Sequence, residues 1–172
     1  MPSSPDNHRF SVRAAKAADA PAAVDVVRRS IVELCTADHH GDAEMLARWL
    51  ANKTVQHFTS WLANADNHCI VAETREVLLG VGILQRSGEI LLFYLAPGAQ
   101  RQGIGSAIHA ALEEKARGWG LRKLTLESTR MACHFYESLG YQSNGAVQSR
   151  FGGLQTYPYE KVLALRTGSS VA

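Results

Sequence analysis

The stretch best suited to chemistry is Gln100-Arg101-Gln102-Gly103-Ile104-Gly105. It follows an apolar run, Ile90 to Leu95, that reads as a strand, and it opens an amphipathic segment, Ile104 to Trp119, that reads as a helix. Two glycines at a strand-to-helix junction let the backbone approach a ligand and aim several N–H groups at one point. The positive end of the helix dipole acts on the same point, so the turn predicts an anion site, most often for phosphate. Arg101 could reach that anion or stand on a solvated face. No G-x-x-x-x-G-K-[ST] pattern occurs, which excludes a P-loop. A dinucleotide-binding turn is an alternative, with Glu127 about 20 residues on as a ribose-binding acid. Against it, Ile108 fills the third glycine position and the preceding runs suggest a hairpin meander.

Other reactive groups are sparser. Glu89 opens the strand before the turn, and Glu73 ends a neighbouring one, so either carboxylate could take a proton directly or through water. Asp38, His39, His40 and Asp42 have the composition of a metal cluster, but adjacent histidines on a loop do not define a tetrahedral site, and no metal is expected. Cys35, Cys69 and Cys133 lack C-x-x-C spacing, which argues against a disulfide framework or zinc and fits a reducing cytoplasm. Trp49, Trp61 and Trp119 sit at helical spacing and are expected in the core.

The elements that must position these groups follow from periodicity. Phe10 to Arg13 predicts a first strand; Asp19 can cap the next helix, with Pro21 in its first turn and Val24, Val27, Ile31 and Leu34 on its apolar face. Residues 38–42 read as a polar loop. Two short helical patterns follow, around Met45 to Leu50 and Val55 to Leu62. Ile70 to Glu73, Val77 to Leu84 and Ile90 to Leu95 predict an antiparallel meander. After the helix come a strand at Leu124 to Glu127, a helix at Ala132 to Leu139 stopped by Gly140, and a closing strand pair around 147–151 and 157–165. The fold class is α/β (α+β): a mixed, mostly antiparallel sheet flanked by helices on both faces. Residues 1–8 and 167–172 are expected as disordered tails, and 9–166 as one domain.

The bulk numbers fit this reading. The chain has 172 residues, 46% apolar and 20% charged, enough for one core. A net charge of +2 gives no argument for nucleic acid, and no window reaches membrane-spanning length, so neither partner is expected.

Two motifs together are similar to those of the GNAT superfamily of acyl-CoA N-acyltransferases. Gln100, Gly103 and Gly105 match the family's [QR]-x-x-G-x-[GA] pyrophosphate motif, between the fourth strand and the following helix. Ala132 to Tyr141 matches the block A-x-x-F-Y-x-x-x-G-[FY]. The element order resembles the family's as well. The resemblance implies an N-acetyltransferase using acetyl-CoA as cosubstrate, with a small-molecule or protein amine as acceptor and a homodimer as a common assembly. A domain that binds acyl-CoA without turnover is the alternative.

The resemblance also implies roles. Residues 100–106, including Gln102, Ile104 and Ser106, would hold the pyrophosphate. Tyr94, Leu95 and Ala96 would pair with the pantetheine, between strands four and five. Thr129 stands where many members carry an asparagine near the pantetheine arm, and Phe135 belongs to the second block. Tyr136 occupies the general-acid position and Glu89 resembles the base glutamate of the protein-acetylating branch. The acceptor is expected between the first two helices and a loop at Arg150 to Tyr157, made adaptable by Gly152 and Gly153.

Overall fold

The computed structural model describes residues 10–164. The tails expected at 1–8 and 167–172, and the domain limits at 9 and 165–166, lie outside the described residues. β1 (Ser11–Ala14) leads through a 3-10 turn into α1 (Ala20–Arg29), which buries Ala23, Val24 and Val27. Each of the two valines stabilises by roughly 1.5–3 kcal/mol. Asp19 stands at the N-cap position but does not cap α1. Its carboxylate accepts the Lys16 N–H at 2.7 Å and a fork from Arg13 at 2.8 and 3.0 Å. Arg13 also reaches Glu73 at 2.7 and 2.8 Å, so the acid ties β1 to the strand beside it. A π-helical turn, Ser30–Leu34, extends α1, and such turns re-aim side chains where a ligand must be met.

The loop expected at 38–42 is partly helical. Thr36–His39 forms α2, burying Asp38 and His39, and the chain reverses at His40 with φ 50°. Burial is tolerated because the polar groups are met locally: His39 Nε2 lies 3.2 Å from the Val32 carbonyl and its Nδ1 accepts the Gly41 N–H at 2.9 Å. α3 (Ala43–Leu50) is capped by Asp42 and α4 (Val55–Ala63) by Thr54.

β2 (Asn67–Glu73), β3 (Leu78–Gln85) and β4 (Ile90–Leu95) complete a four-stranded antiparallel sheet in the order β1-β2-β3-β4. α5 (Ile104–Gly118) and α1 cover the two faces of β3. β5 (Lys123–Ser128), α6 (Cys133–Ser138), β6 (Gln142–Ser143), β7 (Gln148–Arg150) and β8 (Leu154–Val162) follow, with β5-β8-β6 as a second antiparallel sheet and β7 hairpinned onto β8. The segment expected as a long loop from Arg150 to Tyr157 is therefore a hairpin with a three-residue tip, Phe151 to Gly153. The two sheets touch through one parallel bridge, Glu89 to Thr125, where the Thr125 N–H donates to the Gly88 carbonyl at 3.0 Å. Beyond it β4 and β5 diverge into a V-shaped cleft. Trp49 is buried, while Trp119 is half-buried and carries Arg86 4.7 Å and Lys115 5.4 Å from its ring centroid.

His109, on the buried face of α5, meets the Tyr141 hydroxyl at 2.8 Å through Nε2. Its Nδ1 lies 3.6 Å from Glu113, whose carboxylate also receives Arg117 at 2.6 Å and Lys161 at 2.8 Å. Burial holds the His109 pKa down at about 4, outweighing the attraction of Glu113. The folded state thus keeps this imidazole neutral where the unfolded chain takes up a proton. Its contribution is complete above pH 6.5 and is lost as pH falls from 6.5 toward 4, by about 2–3 kcal/mol. Urea titrations at pH 7 and pH 5 check this; equal pH sensitivity of wild type and His109→Gln would refute it.

Candidate functional site

The cleft holds a cavity of about 630 Å³ whose walls come from β4, the start of α5, the end of β5, α6 and the π turn of α1. Strand alternation sorts the backbone of β4. The Ala96 N–H donates to the Leu79 carbonyl at 2.8 Å, and Tyr94 pairs with Val81, so both turn their polar groups toward β3. The N–H and C=O of Leu95 and Phe93 point instead into the cleft. Of the expected pantetheine-pairing segment, Leu95 alone presents its backbone there. The side chain of Tyr94 lines the cavity, whereas Ala96 is buried outside its lining.

The two glycines of the turn serve different needs. Gly103 is the N-cap of α5 with φ 78°, a conformation that costs an L-residue about 1–2 kcal/mol, and a Cβ there would meet nothing within 4 Å. Gly105 gives way to protein rather than ligand: a Cβ would lie 3.1 Å from Phe135 Cζ. No side chain caps the helix, and the Ala107 N–H makes the first backbone bond, to Gly103. The N–H groups of Ile104, Gly105 and Ser106 are therefore left for an anion. Gln100 and Gln102 brace the turn, accepting the Gly98 N–H at 3.0 Å and donating to the Gly98 carbonyl at 2.7 Å. Gln100, Arg101, Gly103, Gly105 and Ser106 line the cavity; Gln102 and the buried side chain of Ile104 do not. Arg101, with φ 60°, has no ion pair among the described residues.

Tyr136 lines the inner cavity and is 5% exposed. Its ring packs edge-on against Phe93 at 5.9 Å, Phe135 at 5.3 Å and Tyr141 at 5.4 Å. Its hydroxyl has no hydrogen-bond partner among the described residues, whereas that of Tyr141 is taken by His109. Burial, reinforced by Tyr141, Tyr94 and Cys133, pushes the Tyr136 hydroxyl well above the ordinary phenol range. Burial and Asp38 push the Cys35 thiol, in the same cavity, up to about 12. Cys133 is half-buried, its thiol 3.3 Å from the Thr129 carbonyl. Thr129 also lines the cavity, but its hydroxyl accepts the Ala132 N–H at 3.3 Å, closing the turn into α6.

The carboxylates divide. Glu89 is exposed at the closed end of the V, outside the cavity lining. Glu73 is held by Arg13 on the far side of the sheet order. Glu127, read from sequence only as a ribose acid, lines the cavity at the end of β5 and is gripped by Arg150 at 2.6 and 3.2 Å. Its signal was its place: a carboxylate closing the strand that faces β4. Asp38, 8% exposed, is not a loop acid but an anchor, accepting the backbone N–H of Arg130 at 2.6 Å and of Met131 at 3.4 Å. It pins the strap 129–131 between β5 and α6. Thr129 and Met131 line the large cavity, while Arg130 faces a second one of about 230 Å³, bounded by α2, α3 and the β7–β8 hairpin. Among the described residues no three His, Cys, Asp or Glu side chains converge as a metal site.

A sequence profile of the acetyltransferase (GNAT) domain matches residues 35–163. No curated protein sequence matches the chain. Solved structures do. A GCN5-related N-acetyltransferase of Rhodopseudomonas palustris superposes with a TM-score of 0.79 at 22% identity, covering 89% of this chain and 95% of its own. PaiA N-acetyltransferase of Thermoplasma acidophilum, in complex with coenzyme A, gives 0.73 at 19% identity, with 90% and 99% covered. YncA of Salmonella typhimurium, a putative acetyltransferase with acetyl-CoA, gives 0.68 at 17% identity, with 95% and 99% covered.

Proposed function

Because this chain belongs to the GNAT acetyltransferase family, we propose that it transfers an acetyl group from acetyl-CoA to a primary amine by direct attack in a ternary complex. The observation that carries the reading is an unpartnered tyrosine hydroxyl inside the cavity whose mouth is the uncapped start of α5. The family assignment removes the dinucleotide alternative.

The free N–H groups of residues 104–106, with Arg101, suit the diphosphate of the donor, and the outward backbone of Leu95 suits a pantetheine amide. Bound acetyl-CoA supplies an activated acetyl group. An alkylamine is only about 0.04% neutral at pH 7, so a carboxylate must take its proton. Glu127 precedes Glu89 for that role, because it lines the cavity whereas Glu89 lies at the exposed closed end; Arg150 fixes its position, and a water can complete the path. Tyr136 holds its proton toward the departing sulfur. A cytoplasmic homodimer belongs to the same reading, supported by the family resemblance and three free thiols; sedimentation checks the assembly.

Calorimetric titration with acetyl-CoA and NADH, followed by thiol release with a panel of amines, tests the proposal. Acetyl-CoA at 100 times its Kd is expected to add about 2.7 kcal/mol of stability, NADH none. Glu127→Gln is expected to slow release about 10²-fold and Glu89→Gln less than about threefold. A larger loss in Glu89→Gln would move the base to that residue. Binding without release from any amine would leave an acyl-CoA-binding domain, and a response to NADH would overturn the phosphate assignment.

A further inference from the structure

The 230 Å³ cavity behind the strap has a distinct polar balance. Arg130 lines it with a guanidinium that has no ion pair or side-chain hydrogen bond among the described residues. The arginines beside it are committed, Arg48 to Glu44 and Arg150 to Glu127. Gln155 adds donors: the Tyr157 hydroxyl donates to Gln155 Oε1 at 3.4 Å, leaving the Gln155 amide N–H groups free. His40 stands at the rim. The one anion is Asp38, buried, held by two backbone N–H groups and in no ion pair among the described residues.

A cavity with one unpaired cation at its edge and one buried carboxylate outside any ion pair is matched by a zwitterion. The carboxylate of such a ligand finds a planar fork in Arg130 with help from Gln155, and its ammonium finds the Asp38 side. Size agrees: at roughly 30 Å³ per water, the space takes about eight waters, or one amino acid. Position agrees as well. Asp38 and Arg130 belong to the strap whose other face, Thr129 and Met131, borders the large cavity. An amine one or two carbons from a carboxylate held on Arg130 therefore sits at the wall between the two spaces.

We infer that this cavity receives the acceptor, and that the acceptor is a free amino acid whose carboxylate is held by Arg130. The inference rests on the acetyltransferase reading and names its substrate class. Arg130 is a binding residue for the acceptor, not a participant in proton transfer.

The test uses the full chain with saturating acetyl-CoA and a panel of amino acids, each beside its α-amide. Wild type is expected to favour the amino acid over its amide at least tenfold in kcat/KM. Arg130→Gln is expected to raise KM for amino acids about tenfold or more with kcat little changed and to leave the amides unaffected, while Arg130→Lys, which keeps the charge but not the fork, is expected to restore KM only in part. Amides used as well as amino acids, or an unchanged KM in Arg130→Gln, would overturn the inference. A second readout separates it from the acetyltransferase reading: calorimetry of the same panel with the CoA-bound protein. Amino-acid binding abolished by Arg130→Gln supports the site even if no amine releases thiol, and the absence of such binding in wild type overturns it.

Discussion

Tyr136→Phe is expected to slow thiol release about 10²-fold or more while acetyl-CoA affinity stays near the wild-type value. The substitution removes one hydroxyl that has no partner among the described residues, so nothing buried is orphaned. The ring keeps its edge contacts with Phe93, Phe135 and Tyr141. A loss of rate would then report chemistry, and an unchanged unfolding midpoint would confirm that the fold is intact. A phenol near 10 giving its proton outright to a thiolate near 8.5 is already uphill by about 2 kcal/mol. Burial raises Tyr136 further. The hydroxyl therefore acts as a hydrogen-bond donor to sulfur and not as a proton store, and the rate profile should show no tyrosine ionisation at neutral pH. Turnover within about threefold of wild type would remove Tyr136 from the mechanism.

Gly88→Ala is expected to cost about 3 kcal/mol, or roughly 6–12 °C in Tm. Gly88 has φ 96°, a region L-residues avoid, and a Cβ there would lie 2.6 Å from the Lys123 carbonyl oxygen. That oxygen is backbone and cannot swing aside. Left-handed strain of about 1–2 kcal/mol adds to overpacking of about 1–3 kcal/mol. The damage falls where the Gly88 carbonyl takes the Thr125 N–H, the joint of the two sheets. Thermal unfolding measures the first effect, and acetyl-CoA titration of the surviving fold measures the widened cleft. A Tm within 2 °C of wild type would mean that the joint yields more easily than its geometry says.

Local signals were legible in the sequence. The β4–turn–α5 unit announced itself through an apolar run, two glycines and a helical period, because each depends on neighbours within a turn or two. Pairings across the fold were not. Asp38 meets Arg130 across 92 positions, and Glu127 meets Arg150 across 23, so composition alone suggested a metal-like loop and a ribose acid. Gly105 looked like room for a ligand until Phe135, thirty residues on, proved to occupy that space. β6 is two exposed polar residues without alternation, and only pairing with β8 makes it a strand. The polar run 36–39 was hidden for a related reason: its hydrogen-bond partners, such as the Val32 carbonyl, are backbone atoms, which no residue type reveals.

The strap 129–131 has two faces and one anchor. Thr129 and Met131 border the larger cavity and Arg130 the smaller, and Asp38, which holds the backbone of Arg130 and Met131, belongs to the wall of the smaller one. Whatever factor occupancy of the cleft imposes on affinity for the smaller cavity, occupancy of that cavity must impose in return.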